Sequence, residues 1–161
     1  MPISPDDYLA WWDAVEAKAR LGAAAAAEAM AAHIRDRAAN ETLQRRINPP
    51  GTYYKARPGE PPSYGSGALA DSMYSTPGSQ GLRSSAEAGS TDRRAPIFEY
   101  GSCLLRPGRR KHMGWKDSGG VWRHRTVYVD EHPFLGPTIE EAIDDGSLRQ
   151  AAIDAYRPYD P

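Results

Sequence analysis

The sequence holds a single cysteine, Cys103, among its 161 residues, so no disulfide can form within one chain. It has only two phenylalanines, and no apolar run approaches the ~20 residues that a membrane-spanning helix needs. The basic, apolar and small-residue order of a signal peptide is also missing from the N-terminus. These absences are consistent with a reducing compartment and predict a protein with no membrane partner.

A net charge of one sign is lacking too, because 20 Lys and Arg stand against 21 Asp and Glu, which leaves −1. This balance gives no argument for a general affinity for nucleic acid or for anionic membranes. The placement is uneven, since basic residues gather in the third quarter of the chain. A solvated arm is one interpretation of this cluster. The alternative is contact with DNA or with a neighbouring subunit, through Arg106, Arg109, Arg110, Lys111, Arg123 and Arg125.

The first 48 residues carry strong helix signals. Ser4 as N-cap, followed by Pro5 at the first helical position, is a typical helix start. One straight helix from Ser4 to Arg46 would be roughly 60 Å long, which is long for a small domain. We therefore expect two helical segments within residues 1–48 that meet near Gly22. Apolar residues follow the start at three- and four-residue spacing: Tyr8, Trp11, Trp12, Val15 and Ala19.

The middle of the chain carries turn and strand signals. Residues 49–67 are rich in Pro, Gly and Tyr, which is typical of an extended, exposed arm. Residues 68–136 predict a small antiparallel sheet, with strands at 73–76 and 82–88 and a protruding basic hairpin at 104–129.

The last segment, residues 137–161, predicts a C-terminal helix and an extended tail. Gly146 should interrupt this helix, and Ser147 with Gln150 should restart it as a capping box.

The chain length and a mean hydropathy of −0.67 predict a single domain, residues 1–161, with a modest core. The expected fold class is α+β, with the N-terminal helical segment and the C-terminal helix packed on the sheet.

The stretch from Arg94 to Ser102 predicts one helical turn that buries apolar side chains. Pro96 can open such a helix and Gly101 can close it. Its one carboxylate, Glu99, has no second carboxylate or histidine at a fixed spacing, so we interpret the turn as structural rather than catalytic. The side chains expected in the core, here and elsewhere, are Leu69, Ile97, Phe98, Tyr100, Phe134, Leu135 and Ile139.

Signals for chemistry are weak throughout the chain. The four histidines are scattered, and none stands at metal-ligand spacing from Cys103 or from a carboxylate. No nucleophile motif surrounds Cys103, and the glycine pairs do not match a phosphate-binding loop. We therefore expect a protein that is not an enzyme and that has no metal and no cofactor.

Three segments together resemble a known family. Residues 57–62 followed by 66–72 are similar to the "PGEPP … (D)TGxLrxS" signature of the minor tail component family, the neck or tail-completion proteins of long-tailed double-stranded DNA bacteriophages. Residues 95–102 resemble that family's "YAPyvEfGT", and residues 132–142 resemble its "RPFLRPALEEA". The order and rough spacing agree, and the likeness covers about residues 20–145.

The resemblance implies a structural virion protein that forms a ring, sixfold by expectation, in the neck between head and tail. Its partners would be itself, the head-closure or connector proteins, the tail terminator or tail tube proteins, and passing genomic DNA. It would be made in the bacterial host cytoplasm. Subunit or partner contacts would come from the arm, through Tyr53, Tyr54, Arg57, Glu60 and Tyr64, and from the basic hairpin.

Two alternatives remain beside this expectation. A tail terminator or head-tail adaptor of the same complex would change the position but not the class of protein. A small nucleic-acid-binding protein that uses the basic hairpin would belong to a different class, and salt-dependent binding of duplex DNA by the monomer would reveal it.

Overall fold

The structure is a computed structural model that describes residues 4–43, 56–62, 67–77, 83–105, 113–117, 120–124 and 127–160. Its helices are α1 (Pro5–Arg37), α2 (Ala68–Asp71), α3 (Ala95–Tyr100), α4 (Leu135–Asp144) and α5 (Ser147–Tyr156). Its strands are β1 (Met73–Thr76), β2 (Glu87–Ser90), β3 (Ser102–Leu105), β4 (Met113–Asp117), β5 (Gly120–His124) and β6 (Val127–Val129). The α+β class is confirmed: a long N-terminal helix and C-terminal helices accompany small antiparallel sheets.

Helix α1 is continuous through Gly22, so the expectation of two segments is wrong. Its start is as expected, since the Ser4 hydroxyl accepts a hydrogen bond from the backbone N–H of Asp7 at 3.1 Å. Gly22 is buried, and a Cβ added there would lie 2.7 Å from Cε2 of Tyr156. The glycine therefore allows α5 to approach closely, and this packing stabilises the helix where the sequence signal suggested a break.

Helix α5 runs antiparallel along the second half of α1. Tyr156, at the end of α5, lies against Gly22, while Ser147, at its start, lies against His33. Nε2 of His33 is 2.8 Å from the Ser147 hydroxyl, and Arg37 pairs with Asp145 at 2.5 Å. The Arg37 side chain is 13% exposed, and it also lies near the carboxylates of Glu41 and Glu141. Past Arg37, the chain continues into a π-helical turn over Ala38–Thr42.

The strands form three two-stranded antiparallel sheets within the described ranges. Strands β1 and β2 pair, with Met73 opposite Ser90. The second strand spans Glu87–Ser90 rather than the expected 82–88. Strands β4 and β5 form the expected hairpin, with Trp115 opposite Trp122. Its second arm does not continue to Val129, because β6 pairs with β3 instead.

The C-terminal region departs from expectation in its polar contacts. Gly146 has a φ of 75° and separates α4 from α5, as expected of a residue without a Cβ. The capping box is wrong: the Ser147 hydroxyl contacts His33 and Arg37, and the Gln150 amide contacts Asp154. The extended tail is also wrong, since residues 157–159 continue α5 as a 3₁₀ turn.

The core is small and lies between α2, α3 and the start of α4. Leu69 is fully buried and Phe134 is 2% exposed, while Phe98 and Leu135 pack against this cluster. Its buried residues are Leu43, Leu69, Ala70, Ala95 and Phe134, and the partly buried residues packed against them are Ala39, Met73, Phe98 and Leu135. It buries few large side chains, which fits the low hydropathy of the chain.

Tyr100 is the clear error among the expected core residues, because it is 81% exposed. At 3.6 residues per turn, Ala95, Phe98 and Glu99 share one side of α3, and Tyr100 lies about 100° beyond Glu99 on the solvent side. Ile97 and Ile139 are half-buried. Ile143, one turn further along α4, is 60% exposed.

Adding a methyl group at Gly22 tests the contact between α1 and α5. Inside a helix, Gly→Ala normally stabilises by about 1 kcal/mol. Here the new Cβ would overlap the Tyr156 ring, so we expect Gly22→Ala to lower the free energy of unfolding in urea by about 1–2 kcal/mol. In a Tyr156→Ala background the same change should cost clearly less, because the ring overlap is gone and only Cβ of Tyr159, at 3.0 Å, remains close. Equal effects in the two backgrounds would contradict the contact.

Candidate functional site

The segments that carry the family resemblance meet in one place, which we call the junction: residues 58–60, 69–70, 95–99 and 131–136. The arm segment reaches it through backbone groups. The N–H of Gly59 donates to the carbonyl of Glu131 at 3.0 Å, and Nδ1 of His132 is 3.0 Å from the carbonyl oxygen of Glu60. The described part of the arm is thus tied to the body rather than freely extended.

Helix α3 and the chain leading into α4 are joined at the centre of the junction. The N–H of His132 donates to the carbonyl of Phe98 at 2.6 Å. The next residue of α3, Glu99, directs its carboxylate at the backbone of α4. Phe134 and Leu135 donate to its Oε2 at 2.9 and 3.0 Å, and Gly136 donates to its Oε1 at 2.7 Å.

These three bonds complete the N-terminus of α4. The N-cap residue is Phe134, whose side chain cannot accept a hydrogen bond, so the N–H groups at the helix start need an acceptor from elsewhere. Glu99 supplies it for the first three, and Pro137 at the fourth position has no N–H. Gly136 leaves room for the carboxylate, because a Cβ there would lie 3.2 Å from Oε1 of Glu99. Residues 99, 136 and 137 therefore fit one another chemically.

The arrangement also defines what Glu99 can do. Both of its oxygens accept hydrogen bonds, and they face the positive end of the α4 dipole. A carboxylate held in this way links two helices. The sequence interpretation treated the turn as structural but assigned no such link to Glu99.

Helix α3 is itself held at its start by a polar turn. Oδ1 of Asp92 accepts the backbone N–H of Arg94 at 2.9 Å, and the Arg94 guanidinium pairs with the same carboxylate at 2.6 Å. The side-chain hydrogen bond from Arg94, helped by its backbone N–H, lowers the pKa of Asp92 from 3.8 to about 2. Ser90 accepts the Asp92 N–H at 3.1 Å, and its hydroxyl is 2.6 Å from that of Ser72. The turn thus ties α3 to the end of α2 and to β2.

An open groove lies beside the junction. All four residues of β2 line it, although successive side chains of a strand point to opposite faces, so the groove follows the edge of this strand. Within the described part of the chain, only β1 pairs with β2. Tyr100 stands at the margin of the groove. Its other lining residues are Tyr74, Ala95, Pro96, Glu99, Phe134 and Leu135.

The sequence-predicted contact residues are only partly covered by the structure. Arg57 is exposed, and its N–H donates to the Glu60 carboxylate at 3.0 Å within the arm turn. Arg123 lies in β5 opposite Gly114. The remaining candidates lie outside the described residues: Tyr53, Tyr54, Tyr64, Arg106, Arg109, Arg110, Lys111 and Arg125.

The linking role of Glu99 is what the sequence interpretation missed. A signal for it exists: α4 begins at Phe134-Leu135-Gly136-Pro137 with no Ser, Thr, Asp or Asn as N-cap, so a distant acceptor was needed. The partners of the buried face of α1 were missed as well. His33 and Arg37 find theirs more than 100 positions away, which local spacing does not report.

Removing the Glu99 carboxylate should weaken the whole junction. We expect Glu99→Ala to lower the free energy of unfolding by about 2–3 kcal/mol, because three N–H groups lose their acceptor. Glu99→Gln keeps one acceptor oxygen and should fall between this variant and the wild type. Glu140→Ala, at an exposed position of α4, is the matched control and should stay within about 0.5 kcal/mol of wild type. A Glu99→Ala variant as stable as this control would contradict the linking role.

The pKa of Asp92 makes a separate prediction about acid. Because the folded-state pKa lies below the ordinary value, the carboxylate stabilises the fold above pH 3.8, and this contribution disappears as the pH falls toward about 2. Across that range the free energy of unfolding should fall more steeply for wild type than for Asp92→Asn. Arg94→Gln removes the main cause of the shift and should also flatten the curve. Parallel curves for wild type and both variants would contradict the assignment.

Comparison of the chain with protein-family models, with curated proteins and with solved structures finds no match. Among the described residues there is no group of three or more His, Cys, Asp or Glu side chains arranged to hold a metal ion. None of the helices in the described ranges combines the length and apolar character needed to cross a membrane. What this site does is therefore inferred from its own residues.

Proposed function

We propose that this protein is a structural virion protein of a tailed bacteriophage, a ring-forming subunit of the neck that joins the head-closure or connector complex to the tail. The observation that carries the proposal is the convergence of the motif segments. The segments around Glu60, Glu99 and Phe134 resemble one family in sequence, and they bond to one another at the junction. Segments that build one joint together are a stronger likeness than three separate short matches.

The character of the junction supports a structural role. Its polar groups bond to one another: the Glu99 carboxylate accepts from the backbone of α4, and the Glu60 carbonyl contacts His132. Its apolar groups form the core. The proposed subunit acts through its surfaces.

The surface beside the junction suits assembly. The groove offers the edge of β2, apolar lining from Phe134 and Leu135, and the exposed Tyr100 ring. An extended segment of a neighbouring subunit can add to such an edge, with main-chain hydrogen bonds giving affinity and the groove accepting a side chain. Copies of the same chain arranged head to tail in this way form a ring when the rotation between neighbours closes.

Complementation of a phage that lacks the gene tests the proposal. The deletion should yield tailless heads and free tails in electron micrographs, and the wild-type gene supplied in trans should restore complete virions. Normal virions from the deletion would contradict the proposal. Duplex binding by the purified monomer that weakens with salt, together with normal virions, would favour the nucleic-acid-binding alternative instead.

A variant of the groove makes the same test specific. Tyr100→Asp places a charge on a side chain that is 81% exposed, so the fold should be kept while the contact is lost. We expect the yield of complete virions to fall by about tenfold or more, the effect of ~1.4 kcal/mol at one contact. Glu140→Ala is the matched control and should restore the yield fully. Full restoration by both variants would contradict the role of the groove.

A further inference from the structure

The first turns of α1, residues 5–21, form an aromatic projection. No residue in this range is buried, and its side-chain hydrogen bonds to described residues remain within residues 4–21. Four large apolar side chains are half or more exposed: Tyr8 at 50%, Leu9 at 59%, Trp11 at 56% and Trp12 at 50%. The three rings touch, with Trp11 and Trp12 centroids 5.2 Å apart.

We call the side of α1 that carries Tyr8, Leu9, Trp11 and Trp12 the aromatic stripe. It continues the helix face that packs on α5. Five helical turns take about 18 residues, so Tyr8 points the same way as Ala26, and Val15 the same way as His33. His33 contacts Ser147 of α5, and Ala26 lines a groove with Ile153 and Tyr156. Since Tyr156 lies against Gly22, α5 ends before it reaches the aromatic stripe. One interhelical interface therefore runs on into an open stretch of the same stripe.

We propose that the aromatic stripe is a self-association surface, and that the first turns of α1 pair antiparallel with the same turns of a second copy. A large aromatic side chain can bury about 150–250 Å², and about half of each is open here, so the three rings and Leu9 offer about 400 Å². Two copies would bury about 800 Å² from these side chains alone. This is close to the lower limit of ~1,000 Å² for a biological contact, so the pairing should be weak and reversible.

Charge selects the second copy as the occupant and the antiparallel direction as the geometry. Asp7 and Lys18 are 11 residues apart, close to three full turns, so they lie on the same flank of the aromatic stripe. In an antiparallel pair centred beside Trp12, Asp7 of each copy faces Lys18 of the other. In a parallel pair Asp7 and Lys18 would stay about three turns apart along the axis, so they could not pair, and the helix dipoles would be aligned.

This contact is two-fold and closes after two copies, unlike the head-to-tail contacts of a ring. The inference stands apart from the proposed function, because its evidence lies in α1 and not in the junction.

Sedimentation of the full-length chain from about 1 to about 200 µM tests the pairing, since this range covers weak dimers. We expect a reversible dimer whose dissociation constant rises at least tenfold in Trp11→Ala/Trp12→Ala. Ile143→Ala, at an apolar side chain that is 60% exposed elsewhere, should leave it unchanged. Circular dichroism of each variant confirms that α1 remains helical.

Charge reversal identifies the geometry. Asp7→Lys and Lys18→Glu each place like charges opposite each other and should weaken the homodimer. An equimolar mixture of the two variants should dimerise like wild type, because both contacts of the mixed pair are then complementary.

A wild-type chain that stays monomeric would overturn the inference, and so would a dimer indifferent to the Trp11 and Trp12 changes or a mixture that fails to recover. Binding of the monomer to zwitterionic lipid vesicles would assign the aromatic stripe to a membrane surface and overturn it too. Hexamers that persist in Trp11→Ala/Trp12→Ala, while their pairing through α1 is lost, would support both the ring and a separate α1 contact. If the chain dimerises through the aromatic stripe but a phage that lacks the gene still builds a normal neck, the pairing would stand and the proposed neck function would fail.

Discussion

One carboxylate fixes the position of two helices in this protein. Glu99, on α3, accepts the N–H groups that open α4. Gly136 leaves space for the carboxylate, and Pro137 has no N–H that would need a fourth acceptor. The core beside it buries few large side chains, and α4 is held further along by the buried Thr138 and Ala142. The direction of α4, and with it the placement of Phe134, depends on that charge-assisted contact.

The rest of the fold is arranged around this link. The arm turn at Glu60 reaches it through His132, and the Asp92 turn holds the start of α3. At the other end of α4, α5 turns back along α1. Gly22 lets α5 approach α1 closely, and Arg37 forms an ion pair with Asp145. The surfaces left over are the groove beside β2 and the aromatic stripe on α1, and both proposals about partners use them.

Local patterns predicted the elements better than their connections. The N-cap at Ser4, the short helix after Arg94 and the break at Gly146 all follow from backbone preferences of single residues, so the sequence was sufficient. Gly22 was misinterpreted because a glycine that bends a helix and one that admits a neighbour have the same local pattern. Tyr100 was placed inward because an apolar run does not reveal which side of a short helix faces the core. The partner of Glu99 lies 35 positions away, beyond the reach of spacing rules.

The most direct test of the account is hydrogen exchange at the amides of Phe134, Leu135 and Gly136, read residue by residue by NMR. If Glu99 holds these N–H groups as described, they should exchange as slowly as the buried interior of α4 at Ala142, through large-scale unfolding only. Exchange at the rate of exposed loop amides would show that the start of α4 is free, and would contradict the central role of Glu99.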